Sequence, residues 1–458
     1  VAGPEYLTKE SDLISDKIHW RGDDGYEPAR LGAVWNELKP DRYPAGIVMA
    51  QTEQDVVDAV RLARERGLRV KAKSGGHGWT GSSVRDGALL VDVKALDEIT
   101  VDPAARTATA GPGTTGPPLN AALELHGLIF PTGHCETVTL GGYLIQGGWG
   151  WNSGKFGPAC QSVIGVDVVT ADGELVHADK DNHPDLLWAA RGSGPGFFGI
   201  ITRFYLQAHP RPKSMMTSDF IYPLEVIDEI LPWAVAVRPT IAPELEMWVM
   251  SMTPRVDWKV VDGPCRLVVA ATAMCDTDEE SIDALRVLET CPALDHAVSS
   301  NLYTPVTMDV LYKNGSSGEA AGFRWSPDSM WTDAGADELI PAVREMFLTV
   351  PTPASHVSWL NWPRPDMSDS ALSITGDVYI SAWTGWTDPA DDERYRYWGR
   401  DHMRRLAPLS NGIQLADENL DARPEARYLS DDARERVELL REQWDPDRVF
   451  LSYLAGNG

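Results

Sequence analysis

Two glycine-rich blocks limit what this 458-residue chain can become: Ser74-Gly75-Gly76-His77-Gly78-Trp79-Thr80-Gly81-Ser82-Ser83, and Pro131 to Gly157. Glycine loses more chain entropy on folding than any other residue, so clusters of it belong where backbone takes positive φ or approaches a ligand closely. Consecutive amides in such a turn form a nest suited to an anion such as a pyrophosphate. The first block follows Leu68 to Lys73, whose apolar–basic alternation reads as a half-buried strand. It is not the G-x-G-x-x-G dinucleotide fingerprint, because no such spacing opens a helix here. Taken singly, the first block reads equally as a plain turn, and Cys135 in the second as a small buried hydrophobe.

The length suits two domains. Hydrophobic residues at 43% and charged residues at 24% are ordinary for a globular protein. A net charge of −26 argues against a nucleic-acid partner, and no apolar run is long enough for a membrane span. Five scattered cysteines suggest neither a disulfide framework nor a zinc site, and the histidines give no metal motif. Val1-Ala2-Gly3-Pro4 does not read as a signal peptide, although loss of a leader stays open; a cytoplasmic location is expected.

Between 46 and 210 helices and strands alternate. Thr52 and Asp55 predict a helix cap, Val56, Val60 and Ala63 one buried face, and Gly67 the stop. Val163 to Val169 and Leu175 to His177 predict strands joined by a turn at Ala171 to Glu174, and Phe197 to Leu206 a further strand. His209-Pro210-Arg211-Pro212 marks a boundary. Residues 213–408 then hold ten of the seventeen tryptophans. Alternation at Glu244 to Met252, Leu267 to Met274 and Ser373 to Trp383 predicts one antiparallel sheet. Helices are expected at Glu279 to Leu288, Asp337 to Phe347 and Ser430 to Gln443.

Together the two blocks are specific. Ser74 to His77 matches an S-G-G-H loop, and Gly133, Cys135, Val138, Gly141 and Gly142 match G-x-C-x-x-V-x-x-G-G. With Asp185 to Gly192, Gly199 to Thr202 and Trp444 to Phe450, the chain resembles the bicovalent FAD-linked oxidases of the berberine bridge enzyme and oligosaccharide oxidase group, in the vanillyl-alcohol oxidase superfamily. The resemblance implies an α+β, two-domain FAD-binding fold. Residues 1–210 would bind FAD, 211–408 would form a substrate domain on an antiparallel sheet flanked by helices, and 409–458 would return to the FAD domain. It also implies that His77 bonds to the flavin 8α-methyl and Cys135 to ring carbon 6. Ser74, Gly75, Gly76, Gly78, Trp79, Thr80, Gly133, Thr139, Gly141, Gly142 and Trp149 would surround the cofactor, with Gly199, Ile200 and Ile201 near its adenine or ribityl part. A small Val138 beside the ring fits an oxidase that uses O2, giving H2O2, and the expected substrate is a small hydroxyl-bearing aromatic, polyketide-like or glycosidic secondary metabolite. An oligosaccharide oxidase, a flavin dehydrogenase and a non-redox flavoprotein are the alternatives.

Three departures bear on the chemistry. Trp79 and Trp149 stand where the family has tyrosines, and Gln414-Leu415-Ala416-Asp417 replaces its Tyr-x-Asn-Tyr. Hydride removal from a carbinol carbon is assisted by a base, and an indole N–H donates but cannot accept a proton. The candidate catalytic residues are therefore Tyr143, Asp417 and Glu418, with Trp359 and Asn361 on one face of a substrate-domain strand. A solvated turn is the plainer reading of Asp417 and Glu418. Trp79, Trp149 and Trp359 are expected to wall the flavin and stack a planar substrate. Trp233, Trp248, Trp258, Trp325, Trp331, Trp383 and Trp386 read mostly as core. His134 reads as a loop residue bonded to backbone, or else as a proton relay or activator of the neighbouring thiol.

Overall fold

In a computed structural model, which describes residues 14–362 and 364–454, Thr52 Oγ1 accepts from the Asp55 amide and Asp55 answers the Thr52 amide. This reciprocal cap starts the helix Glu53–Glu65. Val56, Val60 and Ala63 are fully buried on one side of it, as their spacing predicts. The helix connects Gly46–Met49 to Val70–Lys73, and both strands run parallel to Leu89–Asp92 between them. Ligands of open parallel sheets bind beyond the carboxyl ends of the strands. Ser74 opens the first glycine block at that end of Val70–Lys73.

A second sheet is antiparallel throughout, in the order Ile99–Asp102, Thr107–Ala110, Ile200–Gln207, Val163–Val169, Leu175–Asp179. Its turn at 171–174 uses Gly173 at φ +70°. A seven-stranded antiparallel sheet follows, in the order Ser299–Pro305, Ser214–Tyr222, Arg266–Cys275, Leu245–Met252, His356–Leu360, Val378–Trp386, Arg324–Thr332. One face packs Val249, Val269, Val357, Trp359 and Ile380 under Ile227–Val237 and Ala336–Leu348. The other face looks toward the glycine blocks.

The expected strand from Ser373 begins only at Val378, and the helix expected over Glu279 to Leu288 ends as α-helix at Leu285 before a 3-10 turn. The final helix, Asp431–Trp444, matches its expectation within a residue. Before it, residues 411–414 run along Arg324–Thr332: the Trp331 amide donates to Gly412 O at 2.8 Å, and the Gln414 amide to Ser329 Oγ at 3.2 Å. After it, the chain returns to the first sheet, where the Val70 amide donates to Val449 O and the Leu451 amide to Val70 O. Val1 to Pro4 lies outside the described residues. Among those residues, no helix is long and apolar enough to cross a membrane, and all five cysteines are free thiols.

Candidate active site and cofactor chamber

A cavity of about 510 Å³ runs between the glycine blocks and the open face of the seven-stranded sheet. The blocks meet directly. Thr139 Oγ1 donates to Ser74 Oγ at 3.0 Å, and the Gly142 amide to the same oxygen at 3.2 Å. A Cβ on Gly141 would lie 2.6 Å from Ser74 Oγ, so glycine is what lets the two loops close. At Gly76, φ is +76° and a Cβ would sit 2.5 Å from the Ala33 carbonyl oxygen. Gly76→Ala is therefore expected to destabilise the fold by about 1–3 kcal/mol and to lower flavin content, read by thermal melting and flavin absorbance.

At the contact of the two loops stands Thr137. Its hydroxyl is 3.0 Å from His77 Nε2 and 3.3 Å from Cys135 Sγ, while Ser316 Oγ approaches the sulfur at 3.6 Å. Trp35 stacks on the His77 ring at 4.8 Å. Burial, with the nearby charges of Lys94 and Lys73, lowers the His77 pKa to about 4. The ring is thus neutral at ordinary pH.

Elsewhere the chamber fits an extended dinucleotide. Among the described residues, the amides of Gly75, Gly76, His77 and Gly78 reach no acceptor, leaving the first loop as a row of free donors. The far end is lined by Gly199, Ile200, Phe450 and Lys71. Lys71 Nζ donates to Pro195 O at 2.7 Å and Leu451 O at 2.8 Å, and burial with the charges of Arg85 and Arg441 lowers its pKa to about 7.

The sheet face supplies aromatic walls and three acid–base pairs. Trp149 stacks on Trp362 at 4.9 Å, and Trp79 meets Trp383 edge-on at 4.9 Å. Tyr379 Oη donates to Asp417 Oδ2, and the Trp79 indole also favours the ionised form of that carboxyl. Burial, reinforced by the charge of Glu319, pushes the Asp417 pKa up to about 7 against the pull of these donors and of His134. Burial and the Asp417 charge raise Tyr379 far above its ordinary value, so its proton stays on the phenol. His134 Nε2 lies 2.7 Å from Glu246 Oε1, which also accepts from Trp248 Nε1 at 2.8 Å. Burial opposes the His134 charge, but Glu246 outweighs it and the pKa is raised. His356 Nε2 faces Glu319 Oε1 at 3.3 Å.

Several sequence expectations change here. Of the residues assigned to the cofactor, Thr80 alone lies off the cavity wall; it donates to Glu418 instead. Glu418 is buried behind the wall and also takes the Leu420 amide, so it serves as a local anchor rather than a base. Trp359 and Asn361 do share a face, but it is the face under the helices. Trp359 Nε1 donates to Asn361 Oδ1 at 3.0 Å, and Asn361 Nδ2 to Ala234 O at 2.7 Å, and neither lines the cavity. Tyr143 touches the cavity, yet its hydroxyl lies 3.0 Å from Pro131 O and 2.9 Å from Gly148 O, and burial raises its pKa far above the ordinary value. It braces the second block. His134 bonds a carboxylate, not backbone. Trp383 is buried in the core and also reaches the cavity wall, whereas Trp248 is a half-buried part of that wall and Trp258 is half exposed, so these last two are not core. Thr137, Tyr379 and Glu246 join the site through contacts that no local sequence pattern signals.

The comparisons agree with this geometry. Residues 44–179 match the FAD binding domain family model. The FAD-linked oxidoreductase nodO of Hypoxylon pulicicidum is 32% identical over 429 residues, covering 92% of this chain and 93% of its own length. The crystal structure of 6-hydroxy-D-nicotine oxidase from Arthrobacter nicotinovorans superposes with a TM-score of 0.81 at 19% identity, covering 96% of this chain and 98% of that one. The BBE-like 1 protein of Physcomitrella patens gives a TM-score of 0.82 at 18% identity, over 98% and 100% of the two chains. These likenesses to solved structures carry the fold, while the sequence relationship to nodO carries the chemistry. The chain belongs to the FAD-linked oxidoreductases, and its fold is the one seen in berberine bridge enzyme-like proteins.

Proposed function

We propose that this enzyme is an oxidase that holds FAD through both His77 and Cys135 and oxidises a hydroxyl-bearing aromatic or polyketide-like compound. One observation carries the reading: the Thr137 hydroxyl lies between His77 Nε2 and Cys135 Sγ, so two nucleophiles from loops 58 residues apart converge on one point of the chamber. A neutral imidazole keeps a lone pair available for bonding to the methyl carbon on an electron-poor ring. FAD held there by His77 and Cys135 would supply the two-electron acceptor for oxidation of the carbinol, with O2 as the terminal acceptor and H2O2 as its product.

The remaining work falls to side chains. Asp417 accepts the substrate hydroxyl proton on its carboxylate, held in place by the Tyr379 hydroxyl. The Trp149–Trp362 stack offers a flat apolar wall that positions a planar ring and excludes water. Gln414 and Asp417 in place of two phenols favour such a ring over a sugar.

Intact mass after acid denaturation tests the tethers. The wild-type chain is expected to run heavier by one FAD. Either single replacement, His77→Ala or Cys135→Ala, keeps the added mass and the double replacement loses it. An unmodified chain mass from freshly purified yellow protein refutes the double link. Steady-state peroxide production then tests oxygen as the acceptor.

A further inference from the structure

The cavity does not end at the aromatic wall. Asp219 on Ser214–Tyr222 pairs with Ala270, Ala270 with Trp248, Trp248 with Leu360, and Leu360 with Tyr379. Residues directly opposite across neighbouring strands share a face. These five side chains therefore form a single row over the cavity side of the sheet. Tyr379 and its Asp417 partner stand at one end and Asp219 at the other. Four strand-to-strand steps separate the ends, about 19 Å at the usual spacing. Beyond Trp248 the floor drops to the methyl of Ala270, flanked by Thr217 and Thr272, and all of these line the same cavity.

Charge is distributed unevenly along this row. The lysines on the cavity wall, Lys71 and Lys73, belong to the strand leading into the first glycine block, and no Lys or Arg lines the sheet side among the described residues. His134 is engaged by Glu246 and His356 by Glu319. Asp219 is half-buried, and the bonds its carboxylate receives come from the neutral Asn301 side-chain amide, at 3.1 and 3.2 Å. Among the described residues it has no cationic partner. A carboxylate removed from bulk water without a counter-ion gains most from a charged donor, because charge-assisted hydrogen bonds are roughly twice as strong as neutral ones.

We propose that this trough is a distal subsite in which Asp219 receives the protonated amine of an elongated substrate, one whose ring lies at the Trp149–Trp362 wall. The inference rests on the reading of the aromatic chamber as the substrate site, and names the chemistry of the substrate's far end. A substrate with its reacting hydroxyl at Asp417 and its ammonium at Asp219 spans most of the row.

Titration of the flavin absorbance of the holoenzyme tests it with 2-naphthol and with 2-naphthyloxyalkyl chains of graded length ending in ammonium, hydroxyl or methyl. Ammonium-ended chains of one favoured length are expected to bind about tenfold tighter than their hydroxyl and methyl analogues. Asp219→Asn removes that preference and leaves 2-naphthol binding unchanged, while Asp219→Glu keeps part of it. Equal binding of ammonium and hydroxyl chains to the wild type overturns the proposal, as does a preference that survives in Asp219→Asn. If 2-naphthol fails to perturb the flavin spectrum, the chamber reading falls and the subsite with it.

Discussion

Asp417→Asn is expected to slow flavin reduction by roughly 10²–10⁴-fold, the usual contribution of a positioned general base, without changing flavin content. The comparison uses any substrate found by flavin bleaching under nitrogen. Its pH dependence identifies the group. The Asp417 carboxyl titrates near 7 because burial and the Glu319 charge disfavour its ionised form. Only the carboxylate accepts a proton, so the wild-type rate should climb as pH rises through about 7 and level off above it. In Asp417→Asn that inflection should vanish. Tyr379→Phe removes a donor that stabilises the carboxylate, so it should move the inflection to higher pH and lower the rate less than Asp417→Asn does. An unchanged rate and profile in Asp417→Asn would remove this residue from the reaction.

The second large effect concerns stability. Asp328 is fully buried, and burial pushes its pKa up to about 6 while Arg423 pulls it down. Arg423 donates to Asp328 Oδ1 and, at 2.9 Å, to Ser329 O. Removing one partner of a buried pair leaves an uncompensated charge, whereas replacing both by apolar groups of similar size is often nearly neutral. Arg423→Met should therefore lower unfolding free energy by about 3–5 kcal/mol, and Arg423→Met with Asp328→Leu by much less, as read from denaturant midpoints. Equal losses in the single and double variants would contradict a charge-burial origin. Since Arg423 fastens the segment that carries Asp417 to the sheet, the single variant should also lose activity beyond its loss of folded protein.

What the sequence discloses about this molecule follows from the reach of each signal. The Thr52 cap, the Gly67 stop and the helix before Trp444 depend on neighbours within a few positions, and these are legible. The two glycine blocks disclose a cofactor chamber because their spacing with His77 and Cys135 is rare. Period-two alternation correctly puts Trp359 and Asn361 on one side of their strand, but His356–Leu360 is buried on both faces. Alternation fixes which residues share a side, not which side meets the cavity. Tyr379 was hidden for the same reason, lying in a strand buried at every position of Val378–Trp386. Glu246 and His134 are 112 positions apart, and no local pattern joins them.

The pairing of Val70 with residues 449–451 also bears on how the protein is made. The strand that leads into the first glycine block finds its last neighbour, and Lys71 two of its carbonyl acceptors, only after about 380 further residues have left the ribosome. At ordinary elongation speeds that delay is on the order of 20–80 s. The nascent chain can build its early helices and sheets meanwhile, yet the far wall of the chamber cannot close. The edge of the chamber at Val70 is thus among the last parts of the described fold to find its partners.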